Sequence, residues 1–405
     1  MKVLAVTWGL PSHLYTLVPV AWALRSAGHE VRFAGPPGLV EAIAQAGLPA
    51  VPVGPHLDFA TVAHGQIGRD ATGTGADDAD GPQPAITKGG TSHQYAEAML
   101  PDLVDFGRHY GPDLILHDPG NLAAAVAAAV LRVPSARMLW GPDYRTRLGF
   151  DADTVLGPLV DQFGLDPAEV PVQGALTLDP CPPPMQVPLS GPHRPIRFVP
   201  YNGAAILPGW LRTAPARPLV YLTRGTMMGL MCLDGDFDLV GAVRAVAELD
   251  VDLVLASIGR DLTGVPLPSN VRVSTDWLAL HLALPSCAVL VHQGGAGTTM
   301  TGAAYGVPQL ILPSVADQHF NAERLAVTGA GTSLPTEQAG PEAVRDAVAA
   351  LIGDARWKTA ATVLRRRNDA RPTPAEVVTH LEQLAHPAGA AATSRPPTRR
   401  LEASS

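Results

Sequence analysis

The chain has 405 residues and a formal net charge of −8, with 46% apolar and 16% charged residues. That length suits two domains with full-sized cores, and that composition excludes a wholly disordered or collagen-like chain. The acidic balance argues against nucleic-acid binding, which needs a basic surface.

The N-terminal half reads as repeated strand–helix units. Met1–Trp8 is too short for a signal peptide and meets Pro11-Ser12-His13 at once. Val3–Thr7 is instead expected to be a buried parallel strand. Leu17–Ala27 has helical spacing, with Pro19 in a first turn and Gly28 as a stop, and Glu30–Ala34 starts the next strand. Leu39–Ala46 reads as helix, Ala50–Val53 and Asp113–His117 as strands, Leu122–Leu131 as helix and Ser135–Leu139 as strand. The Gly-, Asp- and Thr-rich segment Gly65–Gly90 has almost nothing to bury and reads as a loop. Phe150–Pro200 is proline-rich without strong periodicity and is expected to pack around the first domain.

A second series begins with the strand Leu219–Thr223 and the turn Arg224-Gly225-Thr226. Leu239–Ala247 follows as helix, then Asp252–Ala256, Val271–Ser274 and Val289–His292 as strands. Gly297–Tyr305 reads as helix, Gln309–Pro313 as strand, and Pro341–Ile352 and Pro374–Leu384 as late helices. Strands alternating with helices imply parallel sheets covered on both faces. The expected division is 1–202, a linker 203–217, 218–386 with its last helix packing back on the first domain, and a disordered tail 387–405. Gly and Pro number 40 each, above the average of about 12% combined, as loops and turns require. Cys181, Cys232 and Cys287 lack CxxC spacing and are expected to be reduced, as in a cytoplasmic protein. No window approaches the roughly 18 apolar residues of a membrane span.

The most informative stretch is His292-Gln-Gly-Gly-Ala-Gly-Thr-Thr299. A strand ends at His292, glycines let the backbone turn tightly, and Thr298 and Thr299 open a helix. Free N–H groups at such a helix end suit a diphosphate. The spacing is neither G-x-G-x-x-G nor a Walker loop, so nicotinamide and ATP readings lack support. By itself the turn could equally be structural. His64, His93 and His109 have no metal-ligand spacing, so no metal is expected.

The run WLALHLALPSCAVLVHQGGAGTT, then AAYGVPQLILP, then ADQHFNAERL, resembles the donor-binding signature of family 1 glycosyltransferases. Ser12–Val31, SHLYTLVPVAWALRSAGHEV, resembles their first motif. The resemblance is nearest to the branch that glycosylates macrolide and aromatic polyketide antibiotics. It implies the GT-B fold, two Rossmann-like α/β domains facing each other across a cleft. It implies an inverting transfer from a nucleotide sugar as co-substrate, without a cofactor, to a small-molecule aglycone. By match to the motif, Trp277 would stack on the donor base, although Ala279 replaces a usual proline. His292, Gly294, Gly295, Gly297 and Thr298 would hold the diphosphate, with Gly225 and Thr226 facing them. Asp317 and Gln318 would bond sugar hydroxyls. Plant relatives have a ribose-binding Glu where Met300 stands, which favours dTDP over UDP, although Met300 could equally be helix packing.

His13 is the candidate general base at the lip of the first strand, before a helix whose positive end keeps imidazole neutral. Asp118 matches the carboxylate that orients it, while the adjacent His117 is the competing candidate. His29 is expected to be structural. Trp140, Tyr144 and Phe150 are candidate acceptor-pocket residues, with ordinary packing as the alternative. Two other functions stay open: a non-catalytic nucleotide-sugar-binding partner, and a GT-B-fold nucleotide-sugar epimerase. A homodimer and a cytochrome-like helper protein also stay open.

Overall fold

The computed structural model describes residues 1–63, 88–148, 151–226, 237–256, 262, 264–274, 277–314 and 317–386. The first half builds a seven-stranded sheet from β1 (Lys2–Val6), β2 (Glu30–Gly35), β3 (Ala50–Pro52), β4 (Leu114–His117), β5 (Ser135–Met138), β6 (Leu176–Asp179) and β7 (His193–Pro195). Its order is β3-β2-β1-β4-β5-β6-β7. The second half builds a six-stranded sheet from β8 (Leu219–Thr223), β9 (Asp252–Ala256), β10 (Val271–Ser274), β11 (Cys287–His292), β12 (Gln309–Ile311) and β13 (Gly331–Ser333). Its order is β10-β9-β8-β11-β12-β13. Every strand pair in both is parallel.

The apolar runs explain this. The residues of β4 and of β8 are buried throughout, as strands covered on both faces must be. In each sheet the chain winds outward from its first strand, then returns to that strand's other side. The reversal lies between β1 and β4 in one sheet and between β8 and β11 in the other. The loops leaving those strands therefore open onto the crevice where α/β sheets bind ligands.

The halves are joined through one buried cluster that sets Cys181, Met185 and Phe198 against Met300, Ile311 and Leu325. Beside it, Asn368 accepts from Phe198 N at 2.9 Å and donates to Phe198 O at 3.0 Å. Arg371 pairs with Asp179 at 2.9 Å. The last helix, Pro374–Ala385, then inserts Val377, Val378 and Leu381 among Val3, Leu17 and Leu24 of the first half. His29 lies 2.9 Å from Glu382 on that helix, a structural contact.

Several elements differ from the sequence reading. The first helix spans Pro11–Ser26, so Pro19 lies in its interior and His13 in its first turn. Phe150–Pro200 contributes the helix Ala152–Val160 and the strands β6 and β7 rather than only packing around the domain. The helix Thr91–Tyr110 was hidden by its polar residues and by Pro101. Nearly all of 65–90, and the tail 387–405, lie outside the described residues. Cys181 and Cys287 are free and buried; Cys232 lies outside the described residues. Among the described residues no helix is long and apolar enough to cross a membrane.

Candidate active site

The first switch point is lined by the loops after β1 and β4. His13 is there because the turn after β1 runs directly into the helix Pro11–Ser26, with Pro11 preset for a first helical position. Its Nδ1 lies 2.9 Å from the Trp8 carbonyl oxygen. That oxygen only accepts, so Nδ1 carries the hydrogen and Nε2 the lone pair. The imidazole stacks on Trp140 at 4.2 Å and 17°, with Trp8 tilted against it at 5.0 Å. Burial pushes the pKa of His13 down to about 4, opposed by the Trp8 hydrogen bond and aided by the Arg145 charge. The ring is neutral at pH 7.

Asp118 follows β4, with Oδ2 3.7 Å from His13 Nδ1. Its Oδ1 accepts from Asn121 Nδ2 at 3.2 Å, while Oδ2 is buried without a hydrogen-bond partner. Burial holds this carboxyl well above the usual carboxylate range. His117 points its Nδ1 at the Asp118 carbonyl oxygen, 3.0 Å away, and is buried within the sheet. Asp118, not His117, is therefore the side chain that approaches His13.

The second switch point is lined by the turns after β8 and β11. Gly225 has φ +68°, and a Cβ there would fall 2.1 Å from Gln293 Nε2. The two turns thus meet where only glycine fits. Gly294 has φ +98°, and its missing Cβ would lie 2.8 Å from Ile311 and 3.0 Å from the Gln318 carbonyl oxygen. Gly295 then opens the helix Ala296–Tyr305, which has no side-chain cap and no acidic residue in its first turn. Gly297 faces open space, and Thr226 and Thr298 are half-buried. Uncapped N–H groups at a ten-residue helix end form a ready anion site.

His292, the expected diphosphate contact, closes the strand that leads into the turn. It is fully buried; Nε2 is bonded to Gln309 Oε1 at 2.9 Å, and Nδ1 accepts from Gly294 N at 3.1 Å. Burial pushes its pKa down to about 3. Both ring nitrogens are thus bonded within the protein, one to the neighbouring strand and one to the glycine turn.

Asp317 and Gln318 open the helix Asp317–Ala326. Asp317 Oδ2 accepts from Asn321 Nδ2 at 3.0 Å, and the same nitrogen donates to Gly294 O at 2.8 Å. Gln318 Oε1 accepts from Ser314 N at 2.9 Å. Asp317 is therefore tied to the glycine turn through Asn321, and Gln318 to the loop after β12. Trp277 is 41% exposed and anchored across the halves by Nε1, which donates to Asn202 O at 2.7 Å. Its ring borders a recess shared with Tyr15, Gln45 and Gly203. Ala279 is buried at the start of the short helix Leu280–Ala283.

Of the acceptor candidates, Trp140 joins the His13 stack. Tyr144 instead packs on Phe320 of the second half at 5.7 Å, because its short 3-10 turn meets the helix Asp317–Ala326. Phe150 lies outside the described residues. Met300 is 1% exposed inside the cluster joining the halves. It reports packing and carries no information about ribose.

Sequence reasoning missed Trp8, Asn121, Arg145, Gln293 and Asn321. Asn121 had a local signal, as the cap of the helix Leu122–Leu131. Trp8 comes from the same turn as His13, and Arg145, Gln293 and Asn321 take up their contacts only through the arrangement of neighbouring strands. Among the described residues no group of three His, Cys, Asp or Glu side chains is placed to hold a metal ion.

Residues 22–225 match the N-terminal domain model of erythromycin biosynthesis protein CIII-like proteins, and residues 241–384 match the C-terminal one. The chain is 37% identical to 10-deoxymethynolide desosaminyltransferase of Streptomyces venezuelae, over 95% of this chain and 97% of the relative. It is also 37% identical to TDP-daunosamine transferase DnrS of Streptomyces peucetius, with the same coverage. The crystal structure of glycosyltransferase VinC in complex with dTDP matches with a TM-score of 0.76 and 35% identity, over 95% of this chain and 99% of VinC. A switch-point cleft between two parallel sheets, joined to these relatives along nearly its whole length, identifies the chain as a member of the erythromycin biosynthesis protein CIII-like family, GT-B-fold glycosyltransferases of antibiotic biosynthesis.

Proposed function

We propose that the chain moves a deoxysugar from a dTDP-linked donor to a hydroxyl of a polyketide-type aglycone, inverting the anomeric centre, with His13 as general base. The observation that carries this reading is the state of His13. Its Nδ1–H is pinned on Trp8 O, Asp118 stands 3.7 Å away, and Nε2 keeps its lone pair. In this reading residues 1–202 bind the aglycone and residues 218–386 the donor.

His13 Nε2 takes the acceptor proton as the acceptor oxygen bonds to C1 of an α-linked donor. The bond from C1 to the diphosphate oxygen breaks, and dTDP leaves with the electron pair. Asp118 stabilises the imidazolium that forms. Charge grows on the diphosphate opposite the uncapped helix end at Ala296, Gly297 and Thr298, with Gly225 and Thr226 across from it. Trp277 offers its open face to the base, and Asp317 and Gln318 face the sugar. The dTDP assignment rests on the relatives, since Met300 does not face the donor cleft.

The test is incubation with dTDP-deoxysugars and a panel of polyketide aglycones, with the product's anomeric configuration read by NMR. Transfer with a β-linked product from an α-linked donor is expected. A retained configuration, or sugar chemistry without any acceptor, contradicts the proposal.

A further inference from the structure

Arg145 has no part in the roles above, yet it sits where the two halves meet. It belongs to the 3-10 turn Tyr144–Arg147 after β5. Its guanidinium lies against Gly120 in the loop that carries Asp118. Gly120 has φ +73°, and a Cβ there would fall 1.4 Å from Arg145 Nη2. The base loop is therefore shaped around this guanidinium. Nε and Nη2 are both buried without a hydrogen-bond partner. A buried cation left unpaired costs stability, so its retention calls for a reason.

The carboxylates around it differ in what they have left to give. Asp143 is paired with Arg137 at 2.8 Å. Asp317 accepts from Asn321. Asp118 keeps Oδ2 buried and unbonded. His117 and His13 are neutral, since burial lowers both to about 4. With Arg137 and Asp143 cancelling, Arg145 is the cation whose field falls on the Asp118 and His13 pair, and Asp317 shares that field from the second half.

We infer that Arg145 is a positioning residue for the base pair, its charge lowering the proton affinity of Asp118 and of His13 together. A positive charge favours carboxylate and disfavours imidazolium, which is the distribution a base and its stabilising acid need before reaction. The inference rests on the reading of His13 as base.

The test compares Arg145→Met, Arg145→Gln and Arg145→Lys with the unchanged enzyme, following kcat against pH and the KM for a dTDP-sugar. Without the charge, both His13 and Asp118 hold protons more tightly. The acid limb of the profile then moves to higher pH, by about one to two units for charges several ångströms apart. Arg145→Met and Arg145→Gln are expected to show this shift with donor KM within about twofold, and Arg145→Lys to return the limb toward its original place. Using both charge-removing variants keeps the test open if one does not fold. A lower kcat with an unmoved limb overturns the inference, and so does a changed donor KM with an unmoved limb, which indicates an anion subsite instead. His13→Ala separates the two layers. If it turns over normally, the base reading fails and takes the inference with it. If it is inactive while the Arg145 limb stays put, the inference about Arg145 alone fails.

Discussion

The two switch points use similar residue types in opposite ways. After β11, His292 has both ring nitrogens bonded inside the protein, and Asn321 ties Gly294 to Asp317. The ionisable side chains there are bonded, and the atoms left without partners are the amide oxygens Gln293 Oε1 and Asn321 Oδ1, which do not titrate. After β1 and β4, Asp118 Oδ2 and two nitrogens of Arg145 are buried without partners. The bonded turn gives the second half a cradle of backbone dipoles whose charge does not change with pH. Open valences give the first half groups whose proton affinity depends on what lies beside them. A buried histidine is therefore not diagnostic of a site: His13 and His292 are both held neutral by burial, and only their second nitrogens distinguish them.

Variants can break that contrast. If Asp118 stabilises imidazolium as proposed, Asp118→Asn is expected to lower kcat by about 10²–10⁴-fold with donor affinity unchanged, read by steady-state kinetics and calorimetric titration of dTDP. A parallel loss of dTDP affinity would blur the division. His292→Phe leaves Gly294 N–H and Gln309 Oε1 unpaired, costing about 1–3 kcal/mol each in thermal or denaturant unfolding. It weakens dTDP binding without moving the pH–rate profile. Trp277→Ala is expected to weaken dTDP by about 1–3 kcal/mol, the worth of one base–aromatic stack, and to spare kcat at saturation.

The pH dependence of stability follows from the same burial. His13 and His117 have pKa values of about 4 and His292 about 3 in the folded chain, against an unfolded value of 6.5. The unfolded state takes up protons first, so their contribution is present above pH 6.5 and is lost as pH falls from there toward 3. Unfolding midpoints measured between pH 7 and pH 4 should fall, and His292→Phe should flatten that fall. The smallest effect is expected of Met300→Leu, which should leave the preference between dTDP and UDP unchanged. A changed preference would place that side chain in the cleft.

Much of the architecture was legible because parallel strands announce themselves. Leu219–Thr223 and Asp252–Ala256 are largely apolar runs and Val271–Ser274 alternates valine with polar residues, and the structure has all three with those bounds. The edge strand β7 was not legible, since His193–Pro195 is exposed and carries no apolar run. The glycine turn was legible because φ above zero at Gly225 and Gly294 demands glycine. What His292 does there was not, because its partner Gln309 belongs to the neighbouring strand β12. Arg145 was invisible for the same reason: it reaches Gly120 only because β4 and β5 are adjacent.

The most direct test of the division of labour is a single measurement on His13→Ala at saturating dTDP-sugar: the single-turnover rate, with dTDP affinity determined on the same preparation. The account predicts a rate lower by about 10²–10⁴-fold and an affinity equal to that of the unchanged chain. Turnover at the original rate, or a loss of dTDP binding that matches the loss of rate, would contradict it.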